Sequence, residues 1–187
     1  MLMRLLAPFL VLLVAGCAST TIVLSPSPQL PVCDPAATAL VLWAPQWRAD
    51  QKDVPQREQA AQAGLENALA GSRCFAHAEL QRIPDLSPRS ISARTASAAP
   101  RFSRVVVVAV RELGPVVKLL SSAALVDGGT EVVLHLSVYS APEFAKPREF
   151  SVHWQRGGPG VIQGVASLPG DMEAALLAGL QPASGAQ

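Results

Sequence analysis

Residues 104–113 read Arg-Val-Val-Val-Val-Ala-Val-Arg-Glu-Leu. A continuous run of branched apolar residues of this length is the pattern of a strand covered on both faces. Downstream the pattern changes from a run to an alternation. Between Thr130 and Ser140, Val132, Leu134, Leu136 and Val138 fall on one face, and Phe150, Val152 and Trp154 alternate in the same way against Glu149, Ser151, His153 and Gln155. A period of two predicts antiparallel, half-buried strands of about ten residues. Gly114-Pro115 predicts a bend after the first run, Val116 to Val126 a further strand, and Asp127-Gly128-Gly129 a hairpin turn. Arg156-Gly157-Gly158-Pro159-Gly160 should close the last strand.

Working outward, Ala39 to Trp43 (ALVLW) is a short apolar run of strand type. Asp53-Val54-Pro55-Gln56 reads as a helix start, with an acidic cap, a proline in the first turn and Gln three residues after the cap. That helix should run to about Ala70 and stop at Gly71. Its stripe of Ala61, Leu65, Ala68 and Leu69, with Gly64 allowing close approach, predicts packing on a sheet through small residues. Phe75 to Ile83 is a second strand, and Pro84 to Pro100, rich in Ser, Ala and Arg, reads as an irregular surface loop with the character of a partner-binding segment. Ser167 is placed to cap a final helix from Leu168 to Leu180, striped by Met172, Leu176 and Leu180. The order of elements predicts an α+β fold: a single mixed, mostly antiparallel sheet with two helices packed on it.

The amino terminus carries a different signal. Arg4 is followed by an apolar run from Leu5 to Val14, then Ala15 and Gly16 before Cys17. This is the layout of a secretory signal, and the run is too short for a permanent transmembrane helix. Val14-Ala15-Gly16-Cys17 resembles the lipobox of bacterial lipoproteins, in which cleavage falls between Gly16 and Cys17 and the cysteine is acylated. An ordinary signal peptide or short anchor containing a cysteine is the plainer alternative. Several acyl chains on one residue would hold the chain on a membrane without a spanning helix, since each buried CH₂ contributes about 0.8 kcal/mol. By the family's sorting pattern, Ala18 after the cysteine implies the periplasmic face of a Gram-negative outer membrane. The expected organisation is a signal peptide over 1–16, the lipidated cysteine and a Ser/Pro-rich tether over 17–34, one periplasmic domain over 35–182, and a frayed tail over 183–187. Within the tether, Ile22-Val23-Leu24 could instead dock on the domain or pair as an edge strand.

An exported chain meets an oxidising compartment, so Cys33 and Cys74 are expected to form a disulfide; two unpaired buried thiols are the alternative. The sequence charge of +1 loses Arg4 with the signal, leaving a near-neutral body without a basic block. Nucleic acid is therefore not an expected partner. His77, His135 and His153 lie in separate predicted strands with no ligand-like spacing, so no metal and no cofactor is expected. No Gly-x-Ser-x-Gly elbow, phosphate loop or dinucleotide fingerprint is present, and Glu112, Asp127 and Glu131 read as solvated edge charges. These features predict no catalytic residues. Trp47, beside Arg48 in a polar loop, is the candidate partner-binding position, whereas Trp43 is expected to be buried.

Together, the lipobox, the tether and the order of elements resemble those of small Gram-negative envelope lipoproteins. ABC-type transport auxiliary lipoproteins are the nearest comparison; the amino-terminal domain of TolB and the lipoprotein activators of cell-wall synthases are looser ones. The only motif shared in sequence is Val14-Ala15-Gly16-Cys17, and no family binding residue carries over. The resemblance implies a non-catalytic accessory or scaffold subunit of an envelope transport or assembly complex. A lipid- or glycan-binding module is the second expectation, and an envelope enzyme the third.

Overall fold

A computed structural model describes residues 18–120, 125–142, 144, 147–159, 161 and 163–182. The expected signal peptide, Gly16, Cys17 and the 183–187 tail lie outside the described residues.

Six strands form one mixed sheet: β1 Ser19–Ser25, β2 Asp34–Pro45, β3 Phe75–Arg82, β4 Arg104–Leu120, β5 Leu125–Ser140 and β6 Arg148–Pro159. Their spatial order is β1-β6-β5-β4-β2-β3. The pairs β2/β3 and β2/β4 are parallel, and β4/β5, β5/β6 and β1/β6 are antiparallel. Three helices pack on this sheet, α1 Val54–Ser72, α2 Pro88–Ala98 and α3 Leu168–Leu180, so the α+β class holds with one helix more than expected.

The β2-α1-β3 crossover brings the starts of two parallel strands together, with Asp34 opposite Phe75. Cys33 and Cys74 immediately precede those residues and form the disulfide, their Cα atoms 4.6 Å apart. The main core lies under α1 and α3. It takes Val41 and Trp43 from β2, Val106, Val108 and Val110 from β4, Val132, Leu134 and Leu136 from β5, and Phe150, Val152 and Trp154 from β6. Gly64 is the point of closest approach between the two helices. A Cβ there would sit 2.5 Å from the Pro169 carbonyl oxygen and 2.6 Å from Met172 Cβ. Its missing side chain thus admits α3, not the sheet as the sequence pattern predicted.

Several further local expectations change. Pro84–Pro100 is not an irregular loop: α2 begins after Ser87, whose hydroxyl accepts the Ser90 amide at 3.2 Å, with Pro88 in its first turn. Such a cap satisfies an amide that the helix itself leaves free. The bend at Gly114-Pro115 and the turn at Asp127-Gly128-Gly129 are both continuous strand, and β4 pairs with β5 through Leu120 and Leu125. β2 has already ended opposite Val110, so Pro115 occupies an edge where its missing N–H costs no ladder bond. The Gly157-Gly158-Pro159 stretch likewise remains in β6. At the start of α1, Asp53 is left-handed (φ 55°) and makes no side-chain cap bond, and at its end Arg73 (φ 51°), not Gly71, takes the left-handed position. The Ile22-Val23-Leu24 stretch is strand: β1 pairs with β6 from Ser19 opposite Gly157 to Ser25 opposite Ser151.

Candidate functional site

The second face of the sheet is covered only in part. There α2 and the segments around it close a smaller core of Leu40, Leu42, Ala44, Ile83, Ala98, Phe102, Val105 and Val107. This cover stops over β4. The same face of β5, β6 and β1 carries Glu131, Val133, His135, Ser137, Glu149, Ser151, His153, Gln155, Thr21 and Val23, as the strand register places them. Period-two alternation puts these residues opposite the buried Val132, Leu134, Phe150 and Val152. Tyr139 stands at the boundary, packed against the smaller core. Burial pushes its phenol pKa up, and the Glu149 carboxylate adds to the shift.

Cross-strand polar pairs occupy the open face. His153 Nε2 donates to Glu131 Oε1 at 2.5 Å, and Gln155 Nε2 donates to the same oxygen at 3.2 Å. One row along, His135 Nδ1 and Ser151 Oγ are 3.2 Å apart, and Ser137 Oγ donates to Glu149 Oε1 at 3.2 Å. Directly opposed and diagonal pairs of this kind each contribute roughly 0.2–1 kcal/mol to a sheet. These side chains therefore hold one another in place and present an ordered set of hydrogen-bonding groups to solvent.

A shallow depression of about 480 Å³ flanks this array, lined by Gln46, Arg48, Arg111, Glu112, Glu131 and Val133. Glu112 organises its edge. Arg57 Nη1 donates to Glu112 Oε1 at 3.1 Å, Gln51 Nε2 to the same oxygen at 3.0 Å, and Arg48 Nη2 lies 3.2 Å from Oε2. Arg57 also donates to the Leu113 carbonyl, covering the β4 edge that β2 leaves free. On the other side of Glu131 is a groove of about 270 Å³ floored by Gly129 and Gly157 and bordered by Ser19, Thr21 and Gln155. A Cβ on Gly129 would meet the Arg156 carbonyl oxygen at 2.3 Å, and one on Gly157 would meet that of Gly128 at 2.4 Å. Glycine in these strands permits a close approach of backbones and leaves a floor without side chains.

Neither recess is a deep apolar cavity, and both are open to solvent. Such surfaces suit polar contacts spread over several residues better than enclosure of a small apolar ligand. Among the described residues, no three His, Cys, Asp or Glu side chains converge as a metal site. His135 and Ser151 have the residue types of a nucleophile and its base, but the second ring nitrogen of His135 has no carboxylate partner among the described hydrogen bonds. That third group is what orients the base in catalytic arrangements.

Of the residues singled out in the sequence, Arg48 is exposed and borders the depression. Trp47 is partly buried, packed against the main core, and its indole nitrogen is buried without a hydrogen-bond partner. The structure therefore brings Arg48, but not Trp47, to the open face. Sequence reasoning read Glu131 as a solvated edge charge, set His135 and His153 aside for want of ligand-like spacing, and gave Ser151 no role. The available signal was their common parity on two neighbouring alternating strands, but parity does not fix the β5–β6 register, and the connection over 141–147 is too long to impose it as a two-residue turn would.

The chain is thus an α+β domain with one closed face, one half-open polar face and a disulfide at the start of its crossover. No family model matches it, and no curated protein matches it. Among solved structures it is similar to the PelC dodecamer from Paraburkholderia phytofirmans, with 14% identity over 84% of this chain and 96% of that one and a TM-score of 0.45. It is also similar to a neuraminyllactose-binding hemagglutinin homolog from Helicobacter pylori, at 12% identity over 79% and 84% of the two chains and a TM-score of 0.38. A Xanthomonas campestris protein of the DUF330 family model gives 13% identity over 79% and 81% and a TM-score of 0.38. Among the described residues, no helix is long and apolar enough to cross a membrane.

Proposed function

We propose that the chain is an outer-membrane lipoprotein anchored through Cys17, whose periplasmic domain acts as a non-catalytic accessory subunit of an envelope transport or assembly complex. The observation that carries this reading is the open face of β5, β6 and β1. It is a pre-ordered polar surface on a domain whose stability resides on the opposite face. A lipid anchor confines that surface to two dimensions and raises its effective concentration for a partner on the same membrane, so individually weak contacts suffice.

Two measurements test the reading. Replacing Cys17 with serine should abolish labelling by a fatty-acid probe and release the chain from the membrane fraction; labelling that persists contradicts the anchor. In vivo photocrosslinking from positions 149 and 153 should capture one discrete envelope protein. Recovery of glycan or lipid with no protein partner would reject docking. A glycan-binding module is the second reading, supported by the glycine-floored, polar-bordered groove beside Ser19.

A further inference from the structure

The outermost strands of the sheet, β1 and β3, carry opposite chemistry. β3 bears His77, Glu79 and Arg82. Arg82 Nη2 lies 2.6 Å from Glu58 Oε2 of α1, and Arg101 Nη2 lies 3.1 Å from Glu79 Oε2. Charges of this kind keep a free edge from templating another strand. β1 has none of them. Ser19-Thr20-Thr21-Ile22-Val23-Leu24-Ser25 contains no charged residue and no proline, and every residue except Leu24 is exposed. Ile22 and Val23 remain 42% and 52% exposed. The strand's one neighbour in the sheet is β6, so alternate residues of β1 turn their N–H and C=O groups outward.

Such a strand can pair along its whole length with an antiparallel copy of itself in one register, with a two-fold axis through Ile22. The rows are then Ser19 with Ser25, Thr20 with Leu24, Thr21 with Val23, and Ile22 with Ile22 of the second copy. Each row joins residues of one parity, so each face of the sheet continues into the same face of the second copy. Thr20, Ile22 and Leu24 share the side of Trp154 and Val152, where the helices pack, and Thr21 and Val23 belong to the open face. The exposed Ile22 side chains meet each other, Val23 is covered by Thr21, and no row opposes like charges. A β3 edge in place of the second β1 would set His77, Glu79 and Arg82 against residues that offer no countercharge. Charge complementarity therefore selects the self-pairing contact, which closes as a dimer, over head-to-tail addition.

We propose that β1 is a homodimerisation edge, through which two copies of this chain pair antiparallel about a two-fold axis at Ile22. Main-chain bonds along the added strand supply the affinity, and the Ile22 pair fixes the register. The two sheets then join edge to edge, and their open faces become one continuous surface. A partner docking there meets two symmetry-related polar arrays in place of one.

The test uses the full chain, in cells and then purified. A short bismaleimide should join two copies of I22C into a covalent dimer, whereas H77C on the other edge should stay single; the wild-type chain treated alongside reports any native thiol. Ile22→Lys sets two ammonium groups face to face. By native mass spectrometry it should turn the purified chain from two copies per particle to one, with an unfolding midpoint near that of the wild type, and His77→Lys should leave two copies. The pairing is overturned by an I22C chain that stays unlinked, that links to a different protein, or that links only to H77C in cells expressing both. An I22K chain that keeps two copies overturns it as well. Should the lysine variant fail to fold, the linkage at I22C decides alone.

Discussion

The two faces of this sheet are made by the same strands and differ in almost everything else. Along β5 and β6, Val132, Leu134, Leu136, Phe150 and Val152 are almost wholly buried beneath α1 and α3. One residue away along the backbone, Glu131, His135, Ser151 and His153 bond to one another and face solvent. On the second face, α2 closes a small core over β2 and β4 and then stops. Nothing in period-two alternation requires the open half to be so ordered, since solvated strand faces need only be polar. The contrast separates the part of the molecule that holds the fold from the part available to a partner, and it can be tested from both sides.

The largest effect is expected on the closed face. Leu134 is 0% exposed in the middle of β5. Leu134→Ala should cost about 2–5 kcal/mol, because truncation loses transfer free energy and leaves a cavity that neighbours fill only partly. Denaturant unfolding followed by tryptophan fluorescence would measure it. A loss comparable to that of a surface substitution would show that the closed face does not carry the stability assigned to it.

An intermediate effect is expected where the second face closes. Ser87→Ala removes the hydroxyl that accepts the Ser90 amide and should cost about 1 kcal/mol. The same hydroxyl, and secondly the Ser87 amide, hold the Asp85 carboxyl below its ordinary pKa. A depressed carboxyl contributes stability that is present above its unfolded pKa and is lost as pH falls through the folded value. The alanine variant should therefore lose part of the wild-type response to acid, as measured by unfolding from pH 6 downward.

The legible parts of the sequence were those in which one physical signal dominated. The alternation of Val132 to Val138 and of Phe150 to Trp154 identified the closed face, and the two cysteines placed before parallel strands identified the disulfide. α2 was illegible because its buried positions include Thr95 and Ala98, small residues of little weight in a helical pattern, and because serine has only a modest helix propensity. Its Ser87-Pro88 start was visible but lay within a composition that suggested a loop. The β4–β5 ribbon was misread for the opposite reason, since Gly114, Gly128 and Gly129 are strong turn residues. Here they serve tertiary contacts: the Arg57 guanidinium occupies the space of a Gly114 side chain, and Gly129 and Gly157 let two strands approach. The β5–β6 register that pairs His135 with Ser151 and His153 with Glu131 is set across a different connection, 141–147, whose length alone does not fix which residues stand opposite each other.

The smallest stability effect, and the sharpest test of the contrast, belongs to the open face. Ser151→Ala combined with His153→Gln removes two cross-strand pairs from a half-exposed surface. Such pairs contribute fractions of a kcal/mol, so the double variant should unfold within about 1 kcal/mol of the wild type. If the face is a docking surface, photocrosslinking of the double variant from position 149 should lose its discrete partner while acylation and unfolding remain near wild type. Each alternative result has a definite physical meaning. Retained capture would move the contact away from these pairs, toward the depression organised by Glu112 and Arg48. A stability loss as large as that of Leu134→Ala would mean that the polar ladder is part of the structural core, and that the division between the two faces does not hold.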